Sequence, residues 1–329
     1  MNDSAPILPA GQHPWASGPV TEREMLVVGG GYRCGTTSMF SHLAAHPEVS
    51  PSLIKEPAFF FSLRLAEQPQ VSYPPGHEVW AYLSMFRKRG ARVLLEGTSN
   101  YLNDPGCAAR IARGLPRAKV ILLLREPVAR LVSWFKFLHL QGQLADTVTF
   151  ESWIGEQLAD TRPLEQRPYA MQAIGHCHYA PYVEEYLRVL GRERVLLVWF
   201  DEFQRDPRAV LQRVCRFAGI AADFYEHHEL PRHNESIRIR RPRAFAVYRR
   251  LHRGFFKLLR PWPRAQHELK VRLFGSVEPR LMPFFTGPAR PVEVSPELRR
   301  QLRAHFRSDL APLRDLTGTE VPWRAEYQA

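Results

Sequence analysis

The segment from Met25 to Pro47 constrains the fold more than any other part of the chain, because it suits one local unit. An apolar run of strand length, Met25–Val28, enters a turn reading GGGYRCGTTS, and a helical pattern follows from Ser38 to about His46, where Pro47 stops it. Further strand-sized apolar runs occur at Val93–Leu95, Val120–Leu124 and Val195–Phe200. Helical patterns alternate with them. Pro127 opens one, with Val128, Leu131, Val132 and Phe135 behind it; residues 180–190 form an amphipathic one ending at Gly191; another runs from about Pro207 to Phe217. Strands and helices alternating at this spacing predict an α/β, P-loop-like three-layer fold, with a central parallel sheet flanked by helices. Such sheets bind ligands at the carboxyl ends of their strands. Here those ends carry the glycine-rich turn, Glu96-Gly97 and Arg125.

The rest of the chain is read around that sheet. Residues 1–24, rich in Pro, Gly and polar side chains, predict a flexible arm, and residues 25–329 a single domain with a helical C-terminal elaboration. Within it, Phe245, Tyr248, Leu251, Phe255 and Leu258 recur at helical spacing over 243–259, and the tail from Pro296 to Trp323 predicts one more helix and a short apolar finish. The four cysteines, Cys34, Cys107, Cys177 and Cys215, lack the paired spacing of a disulfide framework or a zinc site. No metal site is expected. No run approaches the roughly 18 apolar residues of a membrane-spanning helix, and the first residues hold no signal-like apolar stretch, so a cytoplasmic location is expected.

The formal charge is +12, and it is concentrated. Between Arg232 and Arg272 thirteen Lys and Arg face two acids, Glu235 and Glu268, so the basic helical segment, about 232–275, accounts for nearly all of the excess. It favours an anionic ligand, acceptor or surface. No nucleic-acid-binding motif accompanies the charge, and no nucleic-acid partner is expected. For the helix over 243–259 the favoured reading is ordinary packing on the domain. Peripheral contact with an anionic membrane is the second.

Gly30 and Gly35 have the two-glycine spacing of a phosphate loop, in which backbone N–H groups at a helix N-terminus surround phosphate oxygens. Two features set it apart from ATPases and kinases. Thr36 stands where their lysine follows the second glycine, leaving Arg33 as the cation of the loop; and Val120–Leu124 ends at Arg125 rather than at a magnesium-binding aspartate. An additional phosphate and no magnesium suit this arrangement better. The rival readings are a P-loop nucleotide kinase or ATPase, and a basic membrane- or nucleic-acid-binding module with a vestigial loop.

The ordered set of motifs resembles that of sulfotransferases, especially the broad group of bacterial and heparan-type enzymes. VVGGGYRCGTTSMFSHLAAHPEV followed by KEPAFFF is similar to their 5′-phosphosulfate loop and following strand, EGTSNYL to the stretch after it, and VILLLREPVARLVSWFKF to their 3′-phosphate motif. YAPYVEEYLRVLGRERVLLVWFDEFQRDP and LRAHFRSDLAPLRDLTG resemble the later elements, so the likeness runs from about residue 25 to 323. The resemblance implies 3′-phosphoadenosine 5′-phosphosulfate as co-substrate, with no metal, and sulfuryl transfer to a hydroxyl or amine of a small-molecule, carbohydrate or lipid acceptor.

Residue by residue, the resemblance implies that the amides of Arg33, Cys34, Gly35, Thr36 and Thr37, with the hydroxyls of Thr36, Thr37 and Ser38, cradle the phosphosulfate. Arg33 stands at the position of a catalytic lysine that contacts the leaving group. An arginine there can stabilise charge but is a poor proton donor. Glu56 matches the general base, with Lys55 neutralising the sulfuryl oxygens, and Glu96 is the alternative base. Gly97 replaces a cation that often follows it. Arg125 and Ser133, eight apart, match the pair on the 3′-phosphate. Arg238, Arg240 or Arg241 would close over the donor. Tyr32, Phe59, Phe60, Phe61 and Tyr101 are read as core residues first and as an acceptor-stacking surface second.

Overall fold

The computed structural model describes residues 20–61, 78–86, 88, 90–145, 147–230, 237–259, 265, 269, 273, 277–288 and 291–328. Five parallel strands build the main sheet: β1 (Met25–Gly30), β2 (Val49–Pro51), β3 (Val93–Glu96), β4 (Ala118–Leu124) and β5 (Val195–Trp199), in the order β2-β3-β1-β4-β5. Successive side chains of a strand face opposite sides, and here both sides are apolar. Leu26, Val28, Ile121, Leu123 and Val198 enter one core, whereas Met25, Val27, Val120, Leu122 and Leu124 enter the other. Both faces are therefore covered by helices, as the expected fold class requires.

The first core is closed by Met39, Phe40 and Leu43 of α1 (Thr36–Ala44). A short helix α2 (Glu78–Leu83) follows, and the opposite face is covered by α3 (Cys107–Gly114), α4 (Pro127–Leu140), α5 (Phe150–Ala159) and α6 (Ala180–Leu190). After β5 come α7 (Phe200–Arg205), α8 (Pro207–Ala218), which returns to the first core through Val210, Leu211 and Val214, and α9 (Phe224–His227). A separate antiparallel pair, β6 (Ile237–Ile239) with β7 (Thr286–Pro288), brackets α10 (Pro242–Leu258) and α11 (Glu278–Phe285). The chain continues through α12 (Pro296–Phe306), α13 (Leu310–Thr317) and α14 (Arg324–Gln328), whose Leu302, Phe306, Leu313 and Tyr327 pack into the second core.

Four expectations are corrected. Residues 1–19 of the expected arm lie outside the described residues, but 20–24 are anchored: Val20 is buried and its amide bonds to Gly114 O at 2.7 Å. The strand after the phosphate loop is Val49–Pro51, ahead of Lys55-Glu56-Pro57, which forms a loop. Pro57 has no amide to give a ladder, which suits a loop there. The single helix expected over Pro296 to Trp323 is two α-helices, α12 and α13, and α14 follows beyond them. Asp309 turns inward to accept the Tyr179 and Ala180 amides at 2.8 and 3.1 Å, and Pro312 lies in the first turn of α13, where its missing N–H costs least.

The fourth concerns α10. Phe245 and Tyr248 pack on Phe285 at ring separations of 5.7 and 5.3 Å, so the expected packing exists on one stripe. Val247, Leu251, Phe255 and Leu258 are exposed.

Candidate active site

The glycine turn is shaped by contacts that tolerate no side chain. A Cβ on Gly30 would lie 2.3 Å from Leu102 Cβ, and one on Gly35 would lie 2.6 Å from the Phe200 ring. Gly35 also holds φ at 86°, in the left-handed region, and serves as the N-cap of α1. No side chain then caps the helix, which leaves its first amides to a ligand. Thr37 is exposed at this end, whereas Thr36 and Ser38 are buried beside it. Cys34 departs from its expected role. Its amide donates to Gly31 O at 3.0 Å and its thiol is buried near the Tyr179 hydroxyl, so Cys34 shapes the loop from inside.

Arg33 holds a left-handed φ of 65° and joins the loop to the end of β4. Its Nε donates to Ser133 Oγ at 3.2 Å, its guanidinium lies 4.9 Å from the Phe137 ring, and its carbonyl accepts from Arg125 Nη1 at 3.2 Å. Arg125 in turn lies 4.6 Å over the Phe200 ring, the same ring that Gly35 rests on. Burial, with the Arg125 charge nearby, pulls the Arg33 pKa below its ordinary value. Two guanidiniums and a hydroxyl, from residues 33, 125 and 133, thus meet at one place. Like charges this close are stabilised by an anion between or beside them.

The other end of the loop meets the general-base candidate. Lys55 Nζ is 2.7 Å from Glu56 Oε1 and donates to Thr36 Oγ1 at 3.5 Å, and Ser99 Oγ donates to Glu56 Oε1 at 2.6 Å. Burial alone would raise the Glu56 pKa, but Lys55 and Ser99 more than offset it and hold the carboxyl below its ordinary range. Glu56 is therefore a carboxylate near neutral pH, about a quarter exposed (27%), and able to accept a proton. Gly97 completes this corner. A Cβ there would fall 2.8 Å from the Phe40 ring and 3.4 Å from Lys55 Cγ, so the Lys55 stem runs beside the ground that a side chain at 97 would need. One cation has the room of two.

Glu96 is differently placed. It is fully buried, accepts a very short hydrogen bond from the Tyr82 hydroxyl and another from Thr98 Oγ1 at 3.1 Å, and burial raises its pKa to about 6 despite those donors. It ties β3 to α2.

This geometry bears directly on the comparisons with known proteins. Residues 109–251, which include Arg125 and Ser133, match the family described as a sulfotransferase domain. Over that stretch the chain is similar to sulfotransferases. Curated relatives include the bifunctional heparan sulfate N-deacetylase/N-sulfotransferase 1 of Caenorhabditis briggsae, 24% identical over 207 residues that take in 62% of this chain and 23% of that protein. The human type 2 enzyme of the same description is 26% identical over 212 residues, 63% of this chain and 23% of the other. The chain spans about a quarter of the length of these curated relatives (23%). Among solved structures, a sulfotransferase from Alicyclobacillus acidocaldarius has the same fold, with a TM-score of 0.61 and 24% identity over 94% of this chain and 100% of that one.

Within the domain, Arg238 lies on β6, paired with Gly287, and its side chain is outside the described residues, as are Arg232 to Ser236. β6 rests against α4. Arg240 is exposed and its aliphatic stem covers Gly287; Arg241 stacks on Phe284 at 4.0 Å. Among the described contacts, neither joins the loop. Of the aromatic residues considered for stacking, Tyr32, Phe59, Phe60 and Tyr101 are buried in the core, and Phe61 packs at its edge.

Several supporting residues escaped the sequence reading. Ser99 carries no signal beyond its place three residues after Glu96. Arg130 is fully buried and donates from Nε to Tyr32 O at 2.9 Å, from Nη2 to Asn103 Oδ1 at 3.0 Å, and from Nη1 to His176 O, fastening the loop backbone to α4. An arginine among the apolar residues of α4 was the available sign. Glu126 caps α4 by accepting from the Val128 and Ala129 amides at 3.0 and 2.6 Å, and Tyr327, from the far end of the chain, donates a very short bond to it. The start of α4, adjacent to Arg125, is held from both sides.

Proposed function

We propose that this chain transfers a sulfuryl group from 3′-phosphoadenosine 5′-phosphosulfate to a hydroxyl or amine of an acceptor. One observation carries the reading: the phosphate loop touches the Arg125–Ser133 pair through Arg33 at one end and the Lys55–Glu56 pair through Thr36 at the other. The donor set fits a doubly anionic ligand, since cations, hydroxyls and helix amides line the loop and Glu56, the carboxylate there, is already neutralised by Lys55. When bound, the donor supplies the sulfuryl group whose bond to the phosphate oxygen breaks as the acceptor attacks sulfur.

The protein's own residues have separable tasks in this reading. Arg125 and Ser133 hold the 3′-phosphate, and the amides and hydroxyls of 35–38 hold the 5′ end. Glu56 takes the acceptor proton, and its depressed pKa keeps it ionised for that purpose. Lys55, within reach of Thr36, faces the developing charge with a point cation, while Arg33, bonded to Ser133, adds charge from the other side. The similarity to heparan sulfate N-sulfotransferases favours a carbohydrate acceptor over other small molecules and lipids.

The test is calorimetric titration of adenosine 3′,5′-bisphosphate without magnesium into the wild type and Arg125→Ala, with magnesium–ATP as comparison. Metal-free binding weakened about 10- to 100-fold by Arg125→Ala is expected, the range for a charge-assisted contact. Magnesium–ATP binding without bisphosphate binding would replace this reading with a nucleotide kinase or ATPase.

A further inference from the structure

We propose that α10 and α11 form a docking surface for an anionic membrane, a reading that stands independently of the donor chemistry. The described residues with large exposed apolar side chains are unevenly spread. Of ten, eight lie between Val247 and Phe284. On α10 the most open are Val247, Leu251 and Leu258, at 57, 68 and 73% exposure, and Ala244 and Gly254 are exposed on the same helical stripe. The stripe that packs is a different one, through Phe245 and Tyr248 onto Phe285. α10 thus carries two apolar stripes where a helix packed on one core needs a single stripe. On α11, Leu281 and Phe284 are also exposed, and the Arg241 guanidinium lies over the Phe284 ring.

Charge selects the occupant. The sequence of α10 contains Arg243, Arg249, Arg250, Arg253 and Lys257 and no acid. At 3.6 residues per turn, positions 243, 250 and 257 follow a track next to the 247–251–258 stripe, and Arg250 is exposed. Open apolar positions beside an acid-free cationic track suit an interfacial helix, whose apolar side enters the headgroup and acyl boundary while its cations meet lipid phosphates. A polyanionic chain in solution would match the cations and leave Leu251 and Leu258 in water. An apolar protein partner would leave the cations unmatched. The lipid surface satisfies both features.

The experiment is co-sedimentation of the full chain with vesicles of phosphatidylcholine alone and of phosphatidylcholine with phosphatidylglycerol, for the wild type, Leu251→Asp/Leu258→Asp and Arg250→Glu. Circular dichroism and bisphosphate titration check that each variant is folded; the substituted side chains are exposed, so no core is disturbed. The expected result is binding to the anionic vesicles, weak binding to the neutral ones, and a partition coefficient reduced by about tenfold or more in the double variant, less in Arg250→Glu. Three outcomes would overturn the proposal: no binding to anionic vesicles, an unchanged double variant whose binding heparin abolishes, which would assign the surface to a polyanion, or a concentration-dependent dimer broken by the double variant, which would assign it to a second copy.

Discussion

Two glutamates close neighbouring parts of the sheet edge, Glu56 in the loop after β2 and Glu96 at the end of β3, and their surroundings drive them in opposite directions. Glu56 has a lysine at 2.7 Å and a serine at 2.6 Å and retains partial exposure, so its carboxyl is held below its ordinary pKa. Glu96 has no exposure and only hydroxyl donors, from Tyr82, Tyr101 and Thr98, so burial raises its carboxyl to about 6. A carboxylate kept charged at an opening can collect a proton from an acceptor. One that resists ionisation in the interior serves as a hydrogen-bonding hub. The strand edge alone does not assign the base; the cation beside it does.

The largest expected effect separates these roles by activity. Glu56→Gln should lower kcat by about 10²- to 10⁴-fold while leaving bisphosphate affinity within about threefold, since a general base acts on the acceptor proton. Steady-state kinetics with calorimetry would check this. If Glu96→Gln lost the activity and Glu56→Gln kept it, the assignment would be reversed.

The next effect is on stability. Because the folded Glu96 carboxyl sits near 6 and the unfolded one near 4.5, the native state binds more protons than the unfolded state between those values, so the Glu96 contribution to stability falls as pH rises through that window. The cost at neutral pH is about 2 kcal/mol. In urea titrations, Glu96→Gln should therefore gain on the wild type by about that amount between pH ~4 and ~7. A constant difference across the range would mean that Glu96 is not desolvated as described.

The smallest effect sharpens the part played by Lys55. Lys55→Met removes the charge that depresses the Glu56 pKa, so the acid limb of the pH–rate profile should move to higher pH, in addition to any lowered rate. An unmoved limb with a lowered rate would confine Lys55 to charge on the transferring group.

Much of the fold was legible because its signals are local. The apolar runs at Met25, Val93, Val120 and Val195 marked four of the five sheet strands, and the helix over 180–190 agrees with Ala180–Leu190 of the structure. β2 was not legible: three residues ending in proline carry no periodicity, and the strand exists because Val49, Ser50 and Pro51 align with Val93, Leu94 and Leu95. The division of the tail was equally hidden, since it depends on Asp309 reaching Tyr179 across 130 positions.

By itself, then, the sequence determined the alternating architecture, the glycine loop with Arg33 in place of a loop lysine, the Arg125–Ser133 spacing and the concentration of charge near α10. Each of these is a matter of neighbours along the chain, where period, turn chemistry and spacing act. The tertiary structure alone decided that Arg33 meets Ser133 from 100 positions away, that Ser99 and Lys55 hold Glu56 ionised while Glu96 is buried, and that one apolar stripe of α10 remains open. The physical reason is that burial and electrostatic partners are properties of space, and residues distant in sequence supply most of them.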